Sequence, residues 1–257
     1  MPTKSRSLRL TLILISLLFF RAEASAAEVK VMISGGFSAA YQQLAPEFER
    51  VSGHKVTTAY GPSMGTTPQA IPNRLQRGEP ADVVIMVGYA LDGLIKDGKV
   101  AAGSRVDLAK SSIGAAVRAG APQPDIGSSE ALKRALLAAK SIAYSDSASG
   151  VYISTEMFKR LGIEDELKPK SRMIPAEPVG KVVARGEAEL GFQQISELRA
   201  IPGIVILGPI PADVQKITVF SAGIATGAQE PVAAKALVSF LASSEAGKAI
   251  ADSGLTP

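Results

Sequence analysis

The run Ala81-Asp82-Val83-Val84-Ile85-Met86-Val87 limits the possible folds most sharply. It is almost continuously apolar, too short for an interior helix, and rich in β-branched residues. A strand apolar on both faces belongs in a parallel sheet covered by helices on each side. Its neighbours agree. Residues 28–34, 55–60, 111–120 and 141–146 read as strands, as do SRMIP, AELGFQQ, IVILGPIP and ITVFSAGIAT further on. Helical segments separate most of them. In SAAYQQLAPEFERVSG, Ser38 is the expected cap, and Tyr41, Leu44, Ala45 and Phe48 recur at helical spacing. Short strands alternating with amphipathic helices predict an α/β fold.

The chain has 257 residues, 46% of them apolar, enough for one large domain or two small ones. It has no Cys, which excludes disulfides, thiolate metal sites and a Cys nucleophile. A single His, His54, excludes a multi-His zinc centre and reads as a solvated turn residue. No metal or cofactor is therefore expected.

The N-terminus carries Lys4, Arg6 and Arg9, then an apolar stretch over residues 10–20, then Ala24-Ser25-Ala26. Basic, apolar and small-residue regions in that order predict a cleaved secretory signal over residues 1–26 and a periplasmic protein. Removing that segment takes away four basic residues and Glu23, and the formal charge drops from +4 to +1. Such a nearly neutral chain has no basic field for nucleic acid. No later apolar run approaches the ~20 residues of a membrane span, so no stable insertion is expected after the signal is removed.

Three strand ends lead into small, polar turns before helices: 34–38, 62–67 and 145–150. Unpaired N–H groups and the positive dipole end make such turns suited to an anion. In open α/β sheets, ligands gather at the carboxyl ends of strands. One turn of this kind is an ordinary capped helix; three together predict a binding cleft.

The ordered set GEPADVVIM, AYSDSASG, VVARGEAELGFQQISEL and LGPIPADVQ…TVFSAGI resembles the periplasmic molybdate-binding protein family, the type II solute-binding proteins of ABC importers. The resemblance covers essentially the whole mature chain. It implies two α/β lobes joined by two crossover strands, GAAVRAG and ITVFSAGI, with a ligand cleft between them. The lobes would be 27–114 plus 219–257, and 115–218. It further implies a small anionic ligand, an ABC permease partner and a monomer. Ligand contacts are then expected from Ser34, Gly35 and Gly36 in the first turn, and from Ser63, Met64 and Gly65 in the second. Ala148, Ser149 and Gly150 would supply the third, and Gln193 and Gln194 the fourth.

Two positions depart from the family. Gly36 stands where a Ser is usual, and Gln194 where a Tyr is usual. The 62–72 loop is also longer. These departures favour an organic di- or tricarboxylate over molybdate. They also fit a branch similar to this family, aconitate isomerase, which moves the double bond of aconitate by proton abstraction. On that alternative Tyr152, Tyr41 or Asp146 is the candidate base. Arg74, Arg77 and Arg118 are weaker candidates for the ligand and read first as surface residues. A sensory binder is a third possibility.

Overall fold

The computed structural model describes residues 26–257 except Ala176; the expected signal lies, but for Ala26, outside them. Among the described residues, ten strands form two five-stranded sheets. In chain order the first sheet takes β1 (Glu28–Ile33), β2 (Lys55–Tyr60), β3 (Val83–Val87) and β4 (Val106–Ser111). The second takes β5 (Ile113–Arg118), β6 (Ile142–Ser145), β7 (Ser171–Ile174), β8 (Leu190–Gln194) and β9 (Ile204–Pro209). The final strand, β10 (Thr218–Ile224), returns to the first sheet. The orders are β2-β1-β3-β10-β4 and β7-β6-β8-β5-β9.

The two sheets repeat one plan. β1, β2 and β3 pair in parallel, as do β6, β7 and β8. β10 and β5, each entered after the chain crosses between sheets, run antiparallel to both neighbours. This is the two-lobed type II binding-protein architecture. β4 was not anticipated: the sequence suggested one strand over 111–120, whereas Ser112 separates two strands belonging to different sheets.

The helices are α1 (Gly35–Ser52), α2 (Ile71–Gln76), α3 (Gly88–Lys96), α4 (Ser129–Ala138), α5 (Ala148–Tyr152) and α6 (Phe158–Arg160). After them come α7 (Glu164–Leu167), α8 (Val179–Ala184), α9 (Ile195–Arg199), α10 (Pro231–Leu241) and α11 (Gly247–Asp252). None among the described residues is long and apolar enough to cross a membrane.

α1 buries Phe37, Tyr41, Leu44 and Phe48 in the first lobe's core, each worth about 1.5–3 kcal/mol of transfer free energy. It starts earlier than the sequence suggested. Ser34, not Ser38, occupies the cap position, and Ser38 lies inside the helix, its hydroxyl donating to the Ser34 carbonyl. Gly53 ends the helix in the left-handed conformation and donates its N–H to the Glu49 carbonyl.

Asp82 shows why one acid belongs in an otherwise apolar strand. It is 1% exposed. Its Oδ2 accepts from the Lys30 N–H at 2.7 Å. Its Oδ1 accepts from the Gln229 and Glu230 N–H groups at 2.6 and 3.0 Å. One carboxylate thus ties β1 and the entry to α10 to the start of β3. Replacing Asp82 with Ala strands three donors. It is expected to lower stability by about 3 kcal/mol, and the thermal midpoint by roughly 6–12 °C, as measured by calorimetric melting.

Candidate functional site

A cavity of about 250 Å³ lies between the lobes, at the carboxyl ends of the parallel strands. The first lobe lines it with Ser34, Gly35 and Gly36 after β1, with Tyr60 to Ser63 after β2, and with Gln69 and Phe220. The second lobe contributes residues 145–149, then Glu177 and Pro178, and finally Gln193, Gln194 and Glu197. Among the described residues, no Lys, Arg or His side chain lines this cleft.

The side chains here that can donate are neutral. Ser63 is fully buried, and its hydroxyl oxygen accepts from the Val87 N–H at 3.0 Å, leaving its hydrogen to donate elsewhere. The Ser34 hydroxyl is buried and has no protein partner. The Gln194 amide nitrogen contacts the Thr218 hydroxyl at 2.9 Å, and its oxygen is unpartnered. A hydroxyl donates as readily as it accepts. The amide can therefore turn over, giving its oxygen to Thr218 and freeing the NH₂ to donate. The Ser149 and Ser145 hydroxyls lie 3.0 Å apart, and the Gly150 N–H donates to Ser145 Oγ.

Glu197 is the residue that sequence reasoning missed. Its helix, α9, begins immediately after β8, with Gln194 at the cap position. Three residues on, the Glu197 carboxylate accepts from the Gln194 N–H, the reach-back half of a capping box. The Gln193 side chain also donates to it. Gln193 can do so because its own oxygen is fixed by the Val179 N–H at 2.9 Å. Part of Glu197 faces the cleft while its carboxyl is desolvated by the surrounding protein. That burial, and secondarily the negative charge of Asp146, push its pKa up to about 7 against the two hydrogen bonds. The clue in the sequence was QQISEL, a carboxylate three residues into an unrecognised helix.

The Gly35-Gly36 pair makes room for this arrangement. A Cβ on Gly35 would fall 2.2 Å from Glu197 Oε1, and one on Gly36 2.0 Å from the Phe220 ring. A Ser at position 36, usual in the resembling family, would collide with Phe220. Ser196, beside Glu197, donates to the Gly36 carbonyl at 2.7 Å and so joins α9 to α1 across the cleft.

Several expected site residues lie elsewhere. The Tyr41 hydroxyl sits 3.1 Å from Thr58 Oγ1 in the first lobe's core, and burial pushes its pKa up to about 12, out of range for a base near neutral pH. Tyr152 donates to the Val214 carbonyl at 2.7 Å and accepts from Arg160, with Lys216 Nζ 5.1 Å from its ring centre. It lines a separate interlobe hollow. Of the three candidate bases, only Asp146 reaches the cleft.

Met64 packs on the first core, with the Tyr89 hydroxyl 3.7 Å from its sulfur. Gly65 is not among the lining residues but needs its glycine, at φ 107°. Gly150 is also off the lining, and a Cβ there would meet the Ser145 carbonyl at 1.6 Å, so its role is to let the turn close. Arg74 and Arg77 hold the long loop by donating to the Gln69 and Pro68 carbonyls, which presents Gln69 to the cleft. Arg118 is exposed beside Gly186 and not on the cleft. His54 Nδ1 accepts from the Ala27 N–H, a structural contact. Among the described residues, no group of three or more His, Asp or Glu could hold a metal ion.

Comparison with known proteins follows the same lines. Residues 29–256 match the family described as bacterial extracellular solute-binding protein. A Pseudomonas sp. protein named aconitate isomerase is 57% identical over 227 residues, covering 88% of this chain and 87% of that one. The molybdate-binding protein ModA of Azotobacter vinelandii is 30% identical over 226 residues, 85% of each chain. The solved periplasmic molybdate-binding protein of A. vinelandii superposes with a TM-score of 0.71 at 24% identity, covering 89% of this chain and 99% of that one. The sulfate-binding protein SubI of Mycobacterium tuberculosis H37Rv superposes with 0.70 at 20% identity, covering 90% and 87%. The chain is a member of the bacterial extracellular solute-binding protein family.

Proposed function

We propose that this protein is a periplasmic isomerase that shifts the double bond of aconitate, interconverting the cis and trans forms. The observation that carries the proposal is Glu197: a carboxyl group able to gain and lose a proton near neutral pH, set in the wall of an anion cleft. The 57% identity to a protein named aconitate isomerase supports the same reading. The two lobes, which meet at Ser112 and before β10, would close on the substrate.

The chemistry follows from the groups present. Aconitate carries a CH₂ between a carboxylate and the carbon–carbon double bond. Ionised Glu197 removes a proton from that carbon. The C–H electron pair spreads through the allyl unit into the adjoining carboxylate, and the double bond moves by one carbon. Protonated Glu197 returns a proton to the far end of the allyl unit, and no net atom or electron is gained or lost. Charge developing on the carboxylate oxygens needs fixed donors. On this reading Ser34, Ser63, the turned-over amide of Gln194 and the backbone N–H groups of the first turn supply them. Asp146 contributes by its charge, which raises the proton affinity of Glu197.

The second reading is capture of an organic anion for an ABC permease, favoured by the 30% identity to ModA. Turnover separates the two. Purified mature protein incubated with trans-aconitate and analysed by chromatography should yield cis-aconitate; binding without turnover would leave the carrier reading. Glu197→Gln should lower kcat by about 10²–10⁴-fold. The base must be ionised to act, so kcat/KM should climb about tenfold per pH unit below about 7 and level off above it.

A further inference from the structure

We propose that Glu197 makes anion binding in this cleft proton-linked: a polyanion is held well only while this carboxyl carries a proton. The inference rests on the same cleft as the isomerase reading but not on turnover.

The geometry is that of a carboxyl which cannot retreat. Its Oε1 lies against the Cα of Gly35, where a Cβ would fall at 2.2 Å. Gln193 holds it from one side, and the Gln194 N–H from another. The groups facing it offer little cationic compensation. From its own helix, Arg199 turns away to donate to the Asp252 carbonyl at 3.2 Å. From α1, the first turn contributes no acidic side chain, only backbone N–H groups and the positive dipole end. From the turn after β6 comes Asp146, a second negative charge. From the segment before α8, Glu177 lines the cleft, and its charge is taken up by Arg185 at 2.6 and 3.0 Å. From β2 comes the phenol of Tyr60.

An arriving polyanion would thus sit beside an ionised Glu197 with no cation between them. Like charges sharing a desolvated site resolve the conflict by holding a proton. Binding an anion then raises the proton affinity of Glu197 further, and by linkage a higher pH weakens the anion. The sign is fixed: the free group titrates near 7. Affinity is therefore full below that pH and falls as pH rises through it. For a substrate, the same linkage places the acid limb of kcat at higher pH than that of kcat/KM, because the bound polyanion makes Glu197 harder to ionise.

Neither sulfate nor a tricarboxylate brings a proton of its own near pH 8, so for either anion Glu197 must take one up. A carboxylate or sulfate oxygen can then accept a hydrogen bond from the protonated Glu197, with the remaining charge on the neutral donors.

The test is calorimetric titration of the mature protein with propane-1,2,3-tricarboxylate, which has no double bond to move, and with sulfate, from pH 6 to 8.5 in buffers of different ionisation enthalpy. The wild type should take up close to one proton per anion near pH 8. Its affinity should fall by about tenfold per pH unit above 7. Glu197→Gln keeps the shape without the charge. It should take up no proton, bind with little pH dependence, and hold sulfate at pH 8 at least tenfold more tightly than the wild type. Anion binding by the wild type without proton uptake overturns the proposal, and so does undiminished uptake in Glu197→Gln. The wild-type proton count decides the matter even if the variant fails to fold. Proton-linked sulfate binding without tricarboxylate binding would sink the aconitate reading and leave this inference standing. Proton-linked tricarboxylate binding without isomerisation would leave the protein a proton-coupled carrier.

Discussion

Two missing Cβ atoms, at Gly35 and Gly36, are the constraint on which the cleft depends. The helix α1 begins there, where the two lobes meet. A side chain on either residue would occupy space taken by the Glu197 carboxyl or the Phe220 ring. With both absent, α9 of the second lobe approaches α1 of the first closely enough for Ser196 to bond the Gly36 carbonyl. The same approach strips water from Glu197. Backbone clearance in one lobe thereby sets the proton affinity of a group in the other.

The cleft combines neutral groups able to donate with the carboxyl groups of Asp146, Glu177 and Glu197, of which burial pushes the Glu197 pKa up to about 7. Neutral donors suit a dehydrated anion, and Ser63 is fixed before the ligand arrives, its oxygen accepting from the Val87 N–H. An added carboxylate would simply repel the ligand if it stayed charged. Burial resolves this by moving its titration close to neutral pH, where the group is available in both forms. Gln193 refines the arrangement. With its oxygen committed to the Val179 N–H, its nitrogen can only donate to Glu197, which keeps the ionised form accessible.

The long loop after β2 contributes by being rigid rather than roomy. Arg74, Arg77 and Asn73 all donate to its carbonyls, and the Arg74 guanidinium is paired with Glu79. The two arginines that sequence alone left open as cleft residues are thus consumed in holding the loop. What reaches the ligand space is Gln69, a neutral side chain. The cleft accordingly has donors on every side without a fixed positive charge.

The sequence by itself determined the α/β class, because that class follows from local periodicity. The apolar run of β3 and the helical spacing in α1 are readable without knowing what lies beside them. The small polar turns likewise marked Ser34, Ser63 and Ala148–Ser149 as a common edge. Tertiary structure alone decided the chemistry. The five-residue helix α9 is too short for a periodic signal, so nothing along the chain singled out Glu197. Tyr41 and Tyr152 looked equally capable as bases until packing gave each hydroxyl another partner. Which acid loses its water depends on contacts between residues about 160 positions apart, such as Gly36 and Ser196. Proton affinity depends on that three-dimensional neighbourhood, and no pattern along the chain encodes it.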